Sequence, residues 1–167
     1  MRFLFLPLVV LLASCNPFAP ALDDSLDNSS KLLSDQKTTD GVFQNLKYAY
    51  TLRDTSIYGQ LLDGNFTFVY HDYDRGVDVT WGREEEMRAT YGLFQNAQRL
   101  DILWNDVVSS SIDSTNTKAM VKRGFNLTVT FNPGDIVYVD GYANLVMQRA
   151  QADDRWMIIR WNDESNY

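Results

Sequence analysis

Two side chains of this sequence are candidates for proton transfer, Asp106 and His71. Asp106 shares strand parity with Ile102 and Trp104, so a regular strand would place its carboxylate on a face that carries large apolar side chains. A carboxylate in an apolar setting is a group that can act as a general base. His71 is the only imidazole of the chain and follows a predicted strand. The alternative for both residues is an exposed side chain with no catalytic role, because Asp and a lone His are usually solvated.

A second group of candidates consists of aromatic side chains that would line a pocket for a ligand. Such side chains provide a large contact area at little conformational cost, which suits an apolar or ring-bearing molecule. A domain of 167 residues must also bury aromatic residues in an ordinary core, so packing alone could explain them. The candidates for ligand binding are Tyr58, Phe68, Trp104, Phe125 and Trp161.

The composition excludes several other kinds of site. One cysteine and one histidine cannot form a zinc site built from Cys and His clusters, and one cysteine cannot form an internal disulfide. The net charge is -7, with 15 basic and 22 acidic residues and no basic run, so we expect no nucleic-acid partner. The chain has no nucleophile elbow, phosphate loop or dinucleotide fingerprint. We therefore expect neither a metal nor a cofactor.

The N-terminus has the features of an export signal. Arg2 precedes an apolar stretch of 11 residues, 3–13, which is too short for the ~20 residues that a membrane-spanning helix needs. A basic residue, a short apolar segment and small residues behind it are typical of a secretory signal peptide. We expect this signal peptide to cover residues 1–14.

The sequence LASC at 12–15 resembles the lipobox of bacterial lipoproteins. The resemblance implies that Cys15 becomes the first mature residue and carries lipid, which anchors the protein to a membrane. The next residue is Asn16 instead of Asp, which favours the outer membrane within the bacterial cell envelope. The alternative is an incidental cysteine and an ordinary cleavage after Ala21.

Residues 15–38 are rich in Pro, Ser, Asp and Asn and contain few large side chains. Such a segment cannot bury enough apolar surface to offset its ordering entropy. We expect a flexible tether over this segment and one folded domain over residues 39–167.

Helical patterns dominate the first part of that domain. Apolar residues from Val42 to Tyr50 recur at helical spacing behind Thr39 or Asp40, either of which could cap the helix. A short helix over 57–62 follows.

A third helix over 82–96 presents Met87, Tyr91 and Phe94 on one face. Its first turn contains Glu84, Glu85 and Glu86, which helix-terminus electrostatics alone would explain.

Strand patterns dominate the rest of the domain. Alternation and turn residues predict strands over 65–70, 77–81, 98–109, 118–131, 136–150 and 155–162. Consecutive long strands with short turns indicate an antiparallel meander. The fold class is therefore α+β, with N-terminal helices packed on a curved, mainly antiparallel sheet.

The order of these elements resembles the NTF2-like superfamily, also called the SnoaL-like or cystatin-like α+β cone. The matching motifs are YGQLLDGNFTF at 58–68, WGREEEM at 81–87 and RWMIIRW at 155–161. The resemblance implies a pocket between the sheet and the helices. The family includes isomerases, dehydratases, cyclases, ligand binders and adaptors, so the fold does not select a function.

Two functions remain open. The first is an envelope lipoprotein that uses the cone to bind a small apolar ligand or a protein partner. The second is an enzyme of the isomerase or dehydratase type that uses a pocket carboxylate. The sequence lacks a recognisable pair of base and oxyanion donor, which favours binding. Family members often pair through the outer face of the sheet, so the resemblance also implies a homodimer.

Overall fold

The computed structural model describes residues 32–166, which form three helices packed on one six-stranded sheet. The helices are α1 (Thr39–Leu52), α2 (Thr55–Leu61) and α3 (Arg83–Asn96). The strands are β1 (Leu62–Asp72), β2 (Val77–Gly82), β3 (Arg99–Ile112), β4 (Lys118–Asn132), β5 (Asp135–Gln148) and β6 (Met157–Asn166). The predicted α+β class is confirmed.

The sheet has the strand order β2-β1-β6-β5-β4-β3. Strands β3 to β6 form the predicted antiparallel meander, and β1 pairs with β6 in parallel. This single parallel pairing joins the N-terminal hairpin to the meander, so β6 lies in the middle of the sheet and is covered by helices on its inner face.

Local signals in the sequence set the helix ends. The hydroxyl of Thr38 caps α1 by accepting a hydrogen bond from Gly41 N at 3.0 Å. The cap therefore lies one residue before Thr39 and two before Asp40, the two expected positions. Asp54 caps α2 by accepting hydrogen bonds from the backbone N–H groups of Ser56 and Ile57. Arg53 adopts a left-handed conformation, with φ of 53°, at the junction between the two helices.

The segment before α1 is attached to the domain more closely than a tether would be. Asn45 accepts a hydrogen bond from Ser34 N at 2.7 Å and donates one to Ser34 O at 2.9 Å. Gln36 donates to Trp156 O at 3.0 Å and accepts from Trp156 N at 2.8 Å. The packed region therefore begins by Ser34, within the stretch assigned to the tether, because two polar side chains supply partners for backbone groups.

The packed end of the cone is the region around Leu46, Leu61, Trp156 and Ile158, whose side chains are almost completely buried. Helices α1 and α2 cover this end of the sheet. From here one row of inward-facing side chains crosses the sheet, because Trp161 of β6 is paired with Leu145 of β5 on one side and with Phe68 of β1 on the other.

Strand β6 contains an irregularity that changes which side chains face inward. Ile158 is opposite Met147, but Arg160 is opposite Val146, so Ile159 is an extra residue in the pairing with β5. Ile158 and Trp161 therefore both face the core. The strand also continues to Asn166, four residues beyond its predicted end.

Candidate functional site

A cavity of about 310 Å3 lies between α3, the end of α1 and the concave face of the sheet. Its volume is at the lower end of the range of about 300–1,000 Å3 that is common for small-molecule sites. Five aliphatic side chains form its floor and side: Leu93, Ile102, Leu127, Val129 and Val139. We refer to this part of the molecule as the cavity end, in contrast to the packed end.

Aromatic rings form one wall of the cavity. The ring of Phe68 stacks on Trp81 with centroids 4.8 Å apart and planes inclined by 12°. On its other side, Phe68 lies 5.9 Å from Trp161. Phe125 also lines the cavity, from β4. These rings come from four strands, and the sheet pairing fixes their positions.

Glu86 of α3 contributes a carboxylate to the cavity wall. The residue is buried, with only 5% of its surface exposed. Its Oε1 accepts hydrogen bonds from the Tyr58 hydroxyl at 2.6 Å and from the Thr90 hydroxyl at 3.0 Å. Its Oε2 accepts one from Trp81 Nε1 at 2.6 Å. All three donors are neutral groups, so they position the carboxylate without cancelling its charge.

Tyr58 remains a hydrogen-bond donor over the whole physiological pH range. Burial raises the pKa of its phenol well above the ordinary value of 10.0, and the nearby Tyr50 and Glu86 raise it further. A neutral phenol beside the Glu86 carboxylate is therefore the stable arrangement.

The end of β6 adds further polar groups to the cavity, from Asp163 and Ser165. Ser165 donates its hydroxyl to Asp163 Oδ2 at 2.7 Å. Trp161 lies two residues before Asp163 on the same strand. Its indole N–H is buried and has no hydrogen-bond partner within residues 32–166. A buried donor that stays without a partner costs about 1–3 kcal/mol.

Three of the five predicted ligand-binding residues, Phe68, Phe125 and Trp161, line the cavity. The other two do not. Tyr58 is fully buried behind Glu86, and Trp104 packs between α1 and the sheet, where its Nε1 donates to Phe43 O at 2.9 Å.

Neither predicted proton-transfer candidate lies in the cavity. Asp106 is exposed on β3, because the pairing of β3 with β4 shifts between Trp104 and Val107 and interrupts the alternation on which its inward placement depended. His71 lies at the far end of β1, where its exposed ring forms a hydrogen bond with Asp78, with Nδ1 2.8 Å from Oδ1.

The carboxylates that do line the cavity are Glu86 and Asp163, and sequence analysis selected neither. Glu86 was attributed to helix-terminus electrostatics, and Tyr91 was expected on the inner face of α3 but is exposed. A signal was available: Glu86, Thr90 and Phe94 are spaced four residues apart, and all three are buried on one face of α3.

Solved structures with similar folds include proteins with different names. A candidate dehydratase of the NTF2-like family from Streptomyces avermitilis is similar with a TM-score of 0.63 and 16% identity, over 80% of this chain and 97% of that one. A candidate scytalone dehydratase from Novosphingobium aromaticivorans gives a TM-score of 0.64 at 10% identity, over 86% and 88% of the two chains. A candidate aromatic ring hydroxylase from the same organism gives 0.62 at 14% identity, over 78% and 87%.

These similarities show that the chain has an NTF2-like fold, as its sequence predicted. No protein-family model matches the sequence, and no curated protein matches it. At such low identities the neighbours establish the fold, and function must be argued from the cavity itself.

Two further observations bear on the site and its surroundings. Within residues 32–166 no three His, Cys, Asp or Glu side chains are grouped so that they could hold a metal ion. No helix in that same range is long and apolar enough to cross a membrane. Cys15 and the predicted signal peptide lie outside the described residues.

Proposed function

We propose that the cavity binds a small, ring-bearing and largely apolar molecule. The observation that carries this proposal is the combination of a concave volume of about 310 Å3, an aromatic wall and a few polar groups from Glu86, Asp163 and Ser165. Small-molecule sites typically combine a mainly apolar lining with a few fixed polar groups that orient the ligand. A concave site of this size favours a small molecule over a protein partner.

The stacked rings of Trp81 and Phe68 supply a broad aromatic contact surface for such a ligand. Aromatic side chains lose little conformational entropy on binding and favour offset or edge contacts with a ring. The hydrogen bond from Trp81 to Glu86 also fixes the indole, so this wall is formed before the ligand arrives.

Catalysis is the second candidate function, and the observation that supports it is the position of the Glu86 carboxylate in the cavity wall. Proton abstraction needs a general base within hydrogen-bond reach of the substrate, and the Glu86 carboxylate lines the cavity from a fixed position. Two of the similar solved structures are named as dehydratases, and dehydration is a reaction in which a proton is abstracted. The enzyme hypothesis predicts that the unmodified chain turns over a hydroxylated ring substrate. It also predicts that Glu86→Gln loses this turnover and retains binding.

The binding proposal is tested by calorimetric titration of the chain with three naphthalene derivatives: 1-naphthylmethanol, 1-naphthylmethylamine and 1-naphthoate. We expect saturable binding of at least one of them. Binding should fall in Ala89→Trp, because Ala89 is an exposed residue of the cavity lining and a large ring there would obstruct the opening.

The matched control is Gln95→Trp, which places the same ring on an exposed position of α3 away from the cavity. It should bind as the unmodified chain does. The absence of binding for all three compounds, or equal loss in both variants, would overturn the proposal.

We also propose that the protein is anchored to the bacterial envelope through lipid on Cys15. The support is the short apolar segment that ends in LASC at 12–15. Replacement of Cys15 by Ala should release the protein from the membrane fraction. Unchanged partitioning, or a mature N-terminus at Leu22, would contradict the anchor.

A further inference from the structure

We infer that the ligand of this cavity is a small organic cation, a ring-bearing amine that is protonated at neutral pH. The inference deepens the proposed binding function and rests on it. It concerns the charge of the ligand, which neither the fold nor the names of similar structures indicate.

The first argument is the charge of the cavity wall. Two carboxylates, those of Glu86 and Asp163, line the cavity, and no Lys, Arg or His is among the lining residues that the structure describes. Arg83, one turn before Glu86 on α3, donates its Nη2 to Gly59 O at 3.0 Å and is not part of the wall. An anionic ligand would therefore meet like charge in a poorly solvated site, whereas a cation would be attracted.

The second argument is the hydrogen-bonding capacity of Glu86. A carboxylate can accept about four hydrogen bonds. Glu86 receives two at Oε1, from Tyr58 and Thr90, and one at Oε2, from Trp81. Glu86 belongs to the lining of the cavity, and an ammonium N–H that reached its carboxylate would form a charge-assisted hydrogen bond.

The third argument is the aromatic wall beside this acceptor. The same Trp81 that donates to Glu86 Oε2 also stacks on Phe68, and Trp161 continues the wall on the other side. The faces of aromatic rings attract cations, most strongly when water is excluded. A carboxylate and several rings around one cavity are the elements that proteins use to hold amines.

The test compares three compounds of nearly equal shape that differ in charge at pH 7. They are 1-naphthylmethylamine, which is a cation, 1-naphthylmethanol, which is neutral, and 1-naphthoate, which is an anion. We expect the amine to bind about tenfold or more tightly than the alcohol, and the anion to bind most weakly. Calorimetry with the unmodified chain gives the three affinities.

The charge preference should depend on Glu86 specifically. In Glu86→Gln the amine should lose about tenfold or more in affinity while the alcohol changes little, because the variant removes charge and keeps an amide of similar shape. Glu85→Gln is the matched control, since it removes the same charge from the neighbouring exposed position of α3. It should leave all three affinities unchanged.

The outcomes separate this inference from the function on which it rests. Binding of the alcohol or the anion as tightly as the amine would overturn the cationic ligand and leave the binding function intact. No binding of any compound would overturn both. If Glu86→Gln does not fold, as judged by thermal unfolding, Asp163→Asn replaces it, and the same selective loss of amine affinity is expected.

Discussion

The two halves of strand β6 illustrate how one element serves two purposes. The packed end of the cone holds Ile158, near the start of β6, and Trp156, which directly precedes the strand; they are 0% and 1% exposed. At the end of β6, Trp161, Asp163 and Ser165 border a cavity. The two groups belong to one stretch of chain, and only a few residues separate them.

The difference between the two ends comes from what covers the sheet. Helices α1 and α2, together with the segment around Gln36, close the packed end and satisfy its backbone groups. At the cavity end an open space lies between α3 and the sheet, and Glu86, Asp163 and Ser165 contribute polar groups to its lining. An open space lined by polar groups reduces stability, so its presence at the cavity end indicates that it serves a function.

The largest expected effect is at the packed end. Trp156→Ala should reduce the free energy of unfolding by about 3–5 kcal/mol, because it opens a large cavity that the surrounding side chains fill only in part. Trp161→Ala should cost less, since that ring already borders open space. Urea unfolding of both variants measures the contrast, and equal losses would show that the two ends do not differ in packing.

The next effect concerns the segment that closes the packed end. Asn45→Ala should cost about 1–3 kcal/mol, because it leaves the N–H and the carbonyl of Ser34 without their partner. The neighbouring Gln44→Ala is the control, since its hydrogen bond to Leu32 O is exposed. If both variants unfold at the same urea concentration, residues 34–36 belong to the tether after all.

A smaller effect is expected at the cavity end from Tyr58→Phe, which removes one donor from Glu86 and should cost about 1–2 kcal/mol at pH 7. The pH dependence is more specific. Because the pKa of Tyr58 is raised in the folded state, its contribution is complete below pH 10.0 and is lost as the pH rises above that value.

The unmodified chain should therefore lose stability above pH 10.0 by up to about 1.4 kcal/mol per pH unit more than Tyr58→Phe does. Tyr91→Phe, which removes an exposed phenol, should keep the full alkaline loss. Parallel curves for the unmodified chain and Tyr58→Phe between pH 9 and 11.5 would contradict the buried donor.

The smallest effects are expected at the two residues that sequence analysis selected for proton transfer. Asp106→Asn and His71→Gln should each change stability by less than about 0.5 kcal/mol, because both side chains are exposed. Neither should change binding of the naphthalene compounds. A large loss of affinity in either variant would mean that the ligand lies outside the cavity.

The fold could be predicted because its signals are periodic and local. Phe125, Leu127 and Val129 alternate along β4 as expected, and the order of helices and strands was correct. The caps were predictable to within one residue, because Thr38 and Asp54 are residues whose side chains bind backbone N–H groups.

The site could not be predicted in the same way because it depends on breaks in that periodicity. The shift near Asp106 and the extra residue at Ile159 change which side chains face inward, and nothing in the local sequence marks either position. The polar sequence after Asn162 suggested the end of a strand. It continues in the sheet and brings Asp163 into the cavity.

The extra residue at Ile159 also has a consequence for how such a site could evolve. If the bulge closed while Ile159 stayed in the chain, continuous pairing with β5 would turn Arg160, Asn162 and Glu164 toward the cavity and Trp161 toward solvent. Deletion of Ile159, by contrast, would leave Arg160 opposite Val146 and Trp161 opposite Leu145, so the aromatic and acidic lining would be kept. The lining on this scaffold is therefore set by whether the strand accommodates its extra residue as a bulge, and a change in that local pairing would rewrite ligand selectivity with every side chain left as it is.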